Sequence, residues 1–327
     1  MKKLPCPTYD RAPSKRLLEL LHEGGFLAPF IALHGKKKGE FRLALDVHLR
    51  REDEVHVYYG LTKLVTSKLK TNDTLEIDAA ESHKRHDRNN FFRVWHVDET
   101  GFQDYLDDYI DVVTKKIDTR WFVKEGQVQA IWSRVAMPDG PWTSFDREAV
   151  LDFSNCDDPG KEAATFRNFS QVEDAYSCIS QISNTWSKSI PAPGTELDQL
   201  AVDREGNLVL VEIKYAGKDY KADTVYYSPL QLLQYVHEWS NALEHLPVRE
   251  GLQKLICARV GVGLIETPDK PLTRGVRAAV CFGEDKRSTE VRRRYQIVLD
   301  IVNQHLPPAV APIETWEYGE TGPHCLL

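Results

Sequence analysis

The sequence predicts a two-domain chain of the α+β/α/β class: a mixed sheet flanked by helices in the C-terminal half, preceded by a mixed α+β unit. Three observations carry this. A polar stretch with Pro and Gly, Ser-Asn-Cys-Asp-Asp-Pro-Gly-Lys-Glu at residues 154–162, interrupts the patterned segments. Beyond it the hydrophobic periods run in the order αββαβαβ, which suits a small sheet with helices packed on it. Before it, short strand-like runs outnumber helical ones. The expected domains are therefore 1–153 and 160–327.

The elements follow in chain order. Ser14 is placed to cap a helix through His22, which ends at Gly24-Gly25. Strands are expected at 26–34, 41–49, 54–59, 74–79 and 91–97. In the third of these Val55, Val57 and Tyr59 alternate onto one side. Residues 102–117 read as a helix, with Phe102, Tyr105, Leu106, Tyr109, Ile110 and Val113 on one face and Asp104, Asp107, Asp108 and Asp111 opposite. A further strand is expected at 127–135. After the boundary come a helix at 170–187 and strands at 196–202 and 208–215, joined by the turn Asp203-Arg204-Glu205-Gly206-Asn207. A helix at 229–245, a strand at 276–282, a helix at 288–304 and a strand near 313–318 complete the order.

The bulk composition sets bounds. The chain has 327 residues, 42% hydrophobic and 28% charged, enough apolar material for a real core. A formal net charge of −7 counts mildly against nucleic-acid binding. It does not exclude it, because binding follows the potential of one face rather than the total. The cysteines (Cys6, Cys156, Cys178, Cys257, Cys281 and Cys325) form no CxxC pair, so no zinc framework is expected, only reduced and mostly buried thiols. The N-terminus lacks the apolar run of a signal peptide, and no window nears the roughly 18 apolar residues of a membrane span. A soluble, cytoplasmic protein is expected. No GxxxxGK[ST] loop or GxSxG element is present, so no nucleotide-hydrolysing domain is expected.

Chemistry concentrates in residues 194–214. Asp198 lies on the first strand of a hairpin and Glu212 on the second, each several residues from the turn. Glu212 and Lys214 are two apart and share a face, while Val209, Val211 and Ile213 face the other way. Opposite charges at the end of an apolar strand are costly unless something satisfies them. Two carboxylates on one face suit a hard divalent cation such as Mg²⁺, which keeps waters and accepts substrate phosphate. An adjacent Lys can orient a water and balance the acids.

The pattern Gly194-x-Glu196-Leu197-Asp198, a short turn, then an apolar run ending Val211-Glu212-Ile213-Lys214 resembles the PD-(D/E)XK nucleases. It is most similar to the branches that include Holliday-junction resolvases and RecB-like exonucleases. The resemblance covers residues 171–245, less than a quarter of the chain, and has Leu197 where the family name has Pro. It implies a restriction-endonuclease-like fold, Mg²⁺ or Mn²⁺ as cofactor, Asp198 and Glu212 as metal ligands, and Lys214 assisting the nucleophilic water. Gln231 and Tyr235, at i and i+4 on the following helix, look like the family's QxxxY element. Glu173 is the candidate for the acid often found on the preceding helix, with Glu162 a weaker one. Glu196, two before Asp198, is placed as a further ligand or a supporting group.

The resemblance implies a phosphodiesterase acting on DNA, of the kind found in restriction and phage-defence proteins. Other readings are an RNA- or junction-specific nuclease, or a non-catalytic nucleic-acid-binding or scaffolding module that keeps the fold. DNA is the expected partner, with a partner protein or a second copy of the chain as further candidates. Arg292, Arg293 and Arg294 are the expected phosphate contacts, ahead of the lysine turn Lys36–Lys38; Arg50-Arg51 and Lys286-Arg287 are further basic pairs. His83 and His86 read as a solvated loop rather than a metal pair. Trp95, Trp121, Trp132, Trp142, Tyr58 and Tyr59 could stack on bases, but core packing is the expectation for most of them.

Overall fold

The computed structural model describes residues 7–117, 125–137, 139–184, 186, 190–191, 194–216, 222–284 and 286–326. The elements in chain order are α1 (Lys15–Leu21), α2 (Ala28–Leu33), β1 (Lys37–Lys38), β2 (Leu43–Arg50), β3 (Glu54–Tyr59), β4 (Thr62–Leu69), β5 (Thr74–Asp78), α3 (Glu81–Lys84), β6 (Trp95–His96), α4 (Phe102–Lys116), α5 (Gln127–Trp132) and β7 (Thr143–Ala149). They continue with α6 (Pro159–Phe166), α7 (Ser170–Ser183), β8 (Leu197–Val202), β9 (Leu208–Lys214), α8 (Ala222–Tyr226), α9 (Ser228–Ala242), α10 (Leu246–Gly261), β10 (Val276–Phe282), α11 (Thr289–Asn303), β11 (Glu314–Gly319) and β12 (Gly322–Cys325). The chain is thus mixed α and β, with two sheets and their helices.

It divides into two compact units. The meander unit comprises Asp10–Arg134 and Leu252–Thr267; the mixed-sheet unit comprises Met1–Tyr9, Val135–Gly251 and Pro268–Leu327. The boundary expected at 154–162 falls inside the mixed-sheet unit. There Asp158 caps α6, accepting from the Lys161 N–H at 3.2 Å, and Pro159 opens the helix. A capping acid followed by Pro begins a helix as readily as it marks a linker.

The meander unit is a six-stranded sheet in sequence order β1 to β6, antiparallel throughout. Ser14 caps α1 as expected, accepting from the Leu17 N–H at 3.2 Å. Two expected strands are helices instead: residues 26–34 hold α2, with Pro29 in its first turn, and residues 127–135 hold α5. Short apolar runs do not distinguish a buried helix from a buried strand. The strand expected at 91–97 shrinks to the two residues of β6, because Phe91, Phe92 and Trp95 turn into an aromatic cluster with Phe102, Tyr105 and Tyr109 of α4. Strand β4 was not expected; its Thr, Ser and Lys content hides the buried Leu64, Val65 and Leu69.

The mixed-sheet unit carries strand order β12-β11-β10-β9-β8-β7. Strand β8 pairs antiparallel with both β7 and β9, β9 to β11 run parallel, and β12 closes back antiparallel on β11. From α7 onward the expected αββαβαβ order stands, with α8, α10 and β12 added to it. Strand β7 was missed and belongs to this sheet rather than to the N-terminal unit. Its Asp146 and Arg147 are each 1% exposed, and buried charge disguises a strand. Strand β9 is buried along its whole length, as expected of a central strand, paired antiparallel with β8 on one side and parallel with β10 on the other.

Among the described residues no helix is long and apolar enough to cross a membrane. Trp95, Trp132, Trp142, Tyr58 and Tyr59 are core residues, at most 1% exposed; Trp121 and Cys6 lie outside the described residues. Mostly buried thiols were expected, but of the described cysteines only Cys281 is buried; Cys178, Cys257 and Cys325 are exposed and Cys156 is intermediate. His83 sits on the short helix α3 rather than in a loop.

Candidate functional site

The site is set by one hairpin. At its turn the Asp203 carboxylate accepts from the backbone N–H of Glu205 (3.0 Å) and of Asn207 (2.8 Å), while Gly206 takes a φ of 83° that a side chain would resist. Arg277 of β10 donates to Asp203 at 2.9 Å and binds Glu314 of β11 through both N–H groups of one edge. Burial alone would raise the Asp203 carboxyl, but Arg277 and Asn207 outweigh it and hold it below its ordinary value. The turn end of the hairpin is therefore locked across β8, β9, β10 and β11, and this fixes its register.

That register determines what meets at the other end. Gln199 faces Val211 and Leu200 faces Leu210. One step further the same register sets Asp198 opposite Glu212, and directly opposed residues of an antiparallel pair share a face. Lys214, two beyond Glu212, lies on that face as well. The Lys214 ammonium donates to Glu212 Oε1 at 2.5 Å, with Glu212 4% and Lys214 9% exposed. Asp198 is half-buried and takes one hydrogen bond, from the Ile213 backbone N–H to Oδ2 at 2.7 Å. It has no ion-pair partner among the described residues.

Helix α9 braces this end. The Tyr235 hydroxyl donates to the Glu196 backbone carbonyl at 2.7 Å, tying α9 to the residues that lead into β8. Burial raises the Tyr235 phenol well above its ordinary value, and the nearby charges of Glu212 and Asp198 raise it further. It is a fixed donor at every working pH. A methyl group at Gly194 would strike this hydroxyl, so the close approach calls for glycine. The half-buried Gln231, one turn earlier, has its side-chain oxygen enclosed without a hydrogen-bond partner.

The remaining expected residues are spread more widely. The Glu196 side chain is exposed, and its contribution here is its carbonyl. Glu173, in the first turn of α7, lines a cavity of about 500 Å³ with Arg167, Tyr176 and Gln234. Glu162 stands in the first turn of α6. Among the described residues no three His, Cys, Asp or Glu side chains group to hold a metal, so neither Glu173 nor Glu196 joins Asp198 and Glu212. Arg293 and Arg294 of α11 both pair with Glu290, and Arg294 also lies 5.2 Å over the Trp186 ring. Arg292 is exposed on the same helix.

Among the described residues the donor set at the hairpin end is the two carboxylates of Asp198 and Glu212. It fits Mg²⁺ or Mn²⁺, which bind through one or two carboxylates and keep waters and phosphate as further ligands. It does not fit a closed zinc centre, which needs four protein ligands. Comparison with protein-family models, with curated proteins and with solved structures found no match to this chain.

Proposed function

We propose that the mixed-sheet unit is a metal-dependent phosphodiesterase of the PD-(D/E)XK type, acting on DNA. The observation that carries it is the hydrogen bond from the Ile213 backbone N–H to Asp198 at 2.7 Å, which brings this acid to the strand end that holds the Glu212–Lys214 pair. A surface Glu-x-Lys pair would be solvated and nearly neutral in energy; this one is buried beside a second acid. A bound Mg²⁺ or Mn²⁺ would lower the pKa of a water and neutralise charge on the phosphoryl group. Asp198 and Glu212 would hold it. Lys214 balances Glu212 and would orient the attacking water. Tyr235 fixes the approach to β8 and thereby the position of Asp198.

The test is cleavage of linear duplex, single-stranded and circular plasmid DNA by wild type and Asp198→Ala, in Mg²⁺, Mn²⁺ or EDTA. Metal-dependent cleavage by wild type alone is expected. Cleavage that survives in Asp198→Ala moves the site elsewhere. No cleavage of DNA, or of RNA and branched junctions in a second panel, overturns the enzyme reading in favour of a binding module.

A further inference from the structure

We infer that the cavity lined by α7 and α9 binds a guanine base. The inference does not rest on the phosphodiesterase reading, because the cavity lies outside the acid pair. It holds about 500 Å³, within the range of small-molecule sites. Its wall includes Arg167, Phe169, Glu173, Tyr176 and Gln234. Several of these are fixed in place. The Gln234 side-chain amide donates to the Arg167 carbonyl at 3.0 Å, and Arg167 Nε donates to Glu238 of α9 at 2.9 Å. The Tyr176 hydroxyl donates to the Pro191 carbonyl at 2.9 Å, and the Phe169 ring rests 5.2 Å from that of His237. Gln234 precedes Tyr235 on α9, and the charges of Arg167, Glu212 and Asp198 all act on the Tyr235 hydroxyl. Arg167 and the acid pair are thus neighbours of one group.

The rest of the polar wall has no protein partner among the described residues. The two terminal nitrogens of Arg167 donate to nothing, with the side chain 22% exposed. The Gln234 side-chain oxygen accepts nothing, although Gln234 is 6% exposed. The Glu173 carboxylate has neither a hydrogen bond nor an ion pair, and it does not pair with Arg167 across the cavity. A ligand that suits this wall is flat, with acceptors for a guanidinium and donors for a carboxylate and an amide oxygen. Guanine carries both. Its O6 and N7 accept from the arginine fork, and its N1–H and 2-amino group can donate side by side to a carboxylate. These two edges lie on different sides of the ring, which matches an Arg167 and a Glu173 that share the cavity unpaired. Phe and Tyr rings take the face of a base. Adenine puts an amine where guanine has O6, and that amine would meet the guanidinium donor to donor. The base can come from a nucleic-acid strand or from a free nucleotide.

The test uses the full chain in EDTA, where no metal-dependent cleavage intervenes. Calorimetry with GMP, AMP, CMP and UMP is run beside anisotropy with single-stranded oligothymidylates that carry one central guanine or adenine. Guanine should bind at least about 10-fold more tightly than adenine, the lower end of what a bidentate contact discriminates. A preference confined to the oligonucleotides makes the base part of a strand; a preference shared by GMP makes the ligand a free nucleotide. Glu173 is exposed, so Glu173→Gln should fold, and it should lose about 10-fold for guanine and nothing for adenine. Arg167→Lys keeps a charge beside Glu238 but removes the fork, and should lose a similar factor. IMP, which lacks the 2-amino group, should bind wild type about as weakly as GMP binds Glu173→Gln. No guanine preference in either arm, or a preference unchanged in both variants, overturns the inference. Either result leaves the cleavage test of Asp198→Ala untouched.

Discussion

The β2–β3 hairpin and the far end of the β8–β9 hairpin bury charge in different ways. In the meander unit one whole face of the β2–β3 hairpin is polar: Asp46, His48 and Arg50 stand opposite Tyr58, His56 and Glu54. Several of these groups pair with one another. His48 donates from Nε2 to Asp46 at 2.7 Å and meets Arg259 at Nδ1, while Arg259 also donates to the Val47 carbonyl at 3.0 Å. His56 pairs with Glu54 at 3.0 Å. In the mixed-sheet unit the turn end of the β8–β9 hairpin is closed in the same way, with Arg277 between Asp203 and Glu314, but at the other end Lys214 pairs with Glu212 while Asp198 takes a backbone N–H and, among the described residues, no ion-pair partner. A closed network rigidifies a fold, whereas an underpaired acid keeps lone pairs for a ligand.

This contrast can be broken from either side. Lys214→Ala should cause the largest loss, at least about 1000-fold in cleavage, while circular dichroism stays that of a folded chain; full activity would remove Lys214 from the chemistry. Asp46→Ala should act on stability instead. It removes the carboxylate that His48 donates to in the core and should cost about 3 kcal/mol in urea unfolding. A cost near zero would mean that the network relaxes around the loss.

Acid should sharpen the same difference. Burial lowers His34 to about 3, against the opposing pull of Asp46, and burial with the charge of Arg50 lowers His56 to about 4. Both are neutral when folded and protonate near 6.5 when unfolded. Their stabilisation is therefore complete above about pH 6.5 and is lost as pH falls toward 4 and 3. At pH 5 each should cost about 2 kcal/mol relative to pH 7.5. Urea midpoints across that range measure it, and a flat profile would contradict neutral burial. The smallest effect should come from Tyr235→Phe, which removes the bond to the Glu196 carbonyl. About 1 kcal/mol of stability should go, together with a modest fall in cleavage. An unchanged Tm would mean that α9 positions β8 through packing alone.

What the sequence revealed follows from how each strand meets its neighbours. Strands β8 and β9 were legible because a strand between sheet neighbours is a continuous apolar run, so the charges of Asp198, Glu212 and Lys214 stand out against it. Strand β7 was illegible for the converse reason: Asp146 and Arg147 look solvated, yet both are buried. The same held for β3, where Val55, Val57 and Tyr59 gave the correct alternation but the polar face opposite is buried too.

The division of the chain carries a consequence for its synthesis. The polypeptide passes from one unit to the other four times, after Tyr9, Arg134, Gly251 and Thr267. A nascent chain released through residue 153 would hold β7 without its sheet and a meander unit still missing Leu252–Thr267, which bring Arg259. Neither unit is complete until α10 has left the ribosome, so the two must mature almost together. Cutting the gene at residues 154–162 would yield two unfinished fragments.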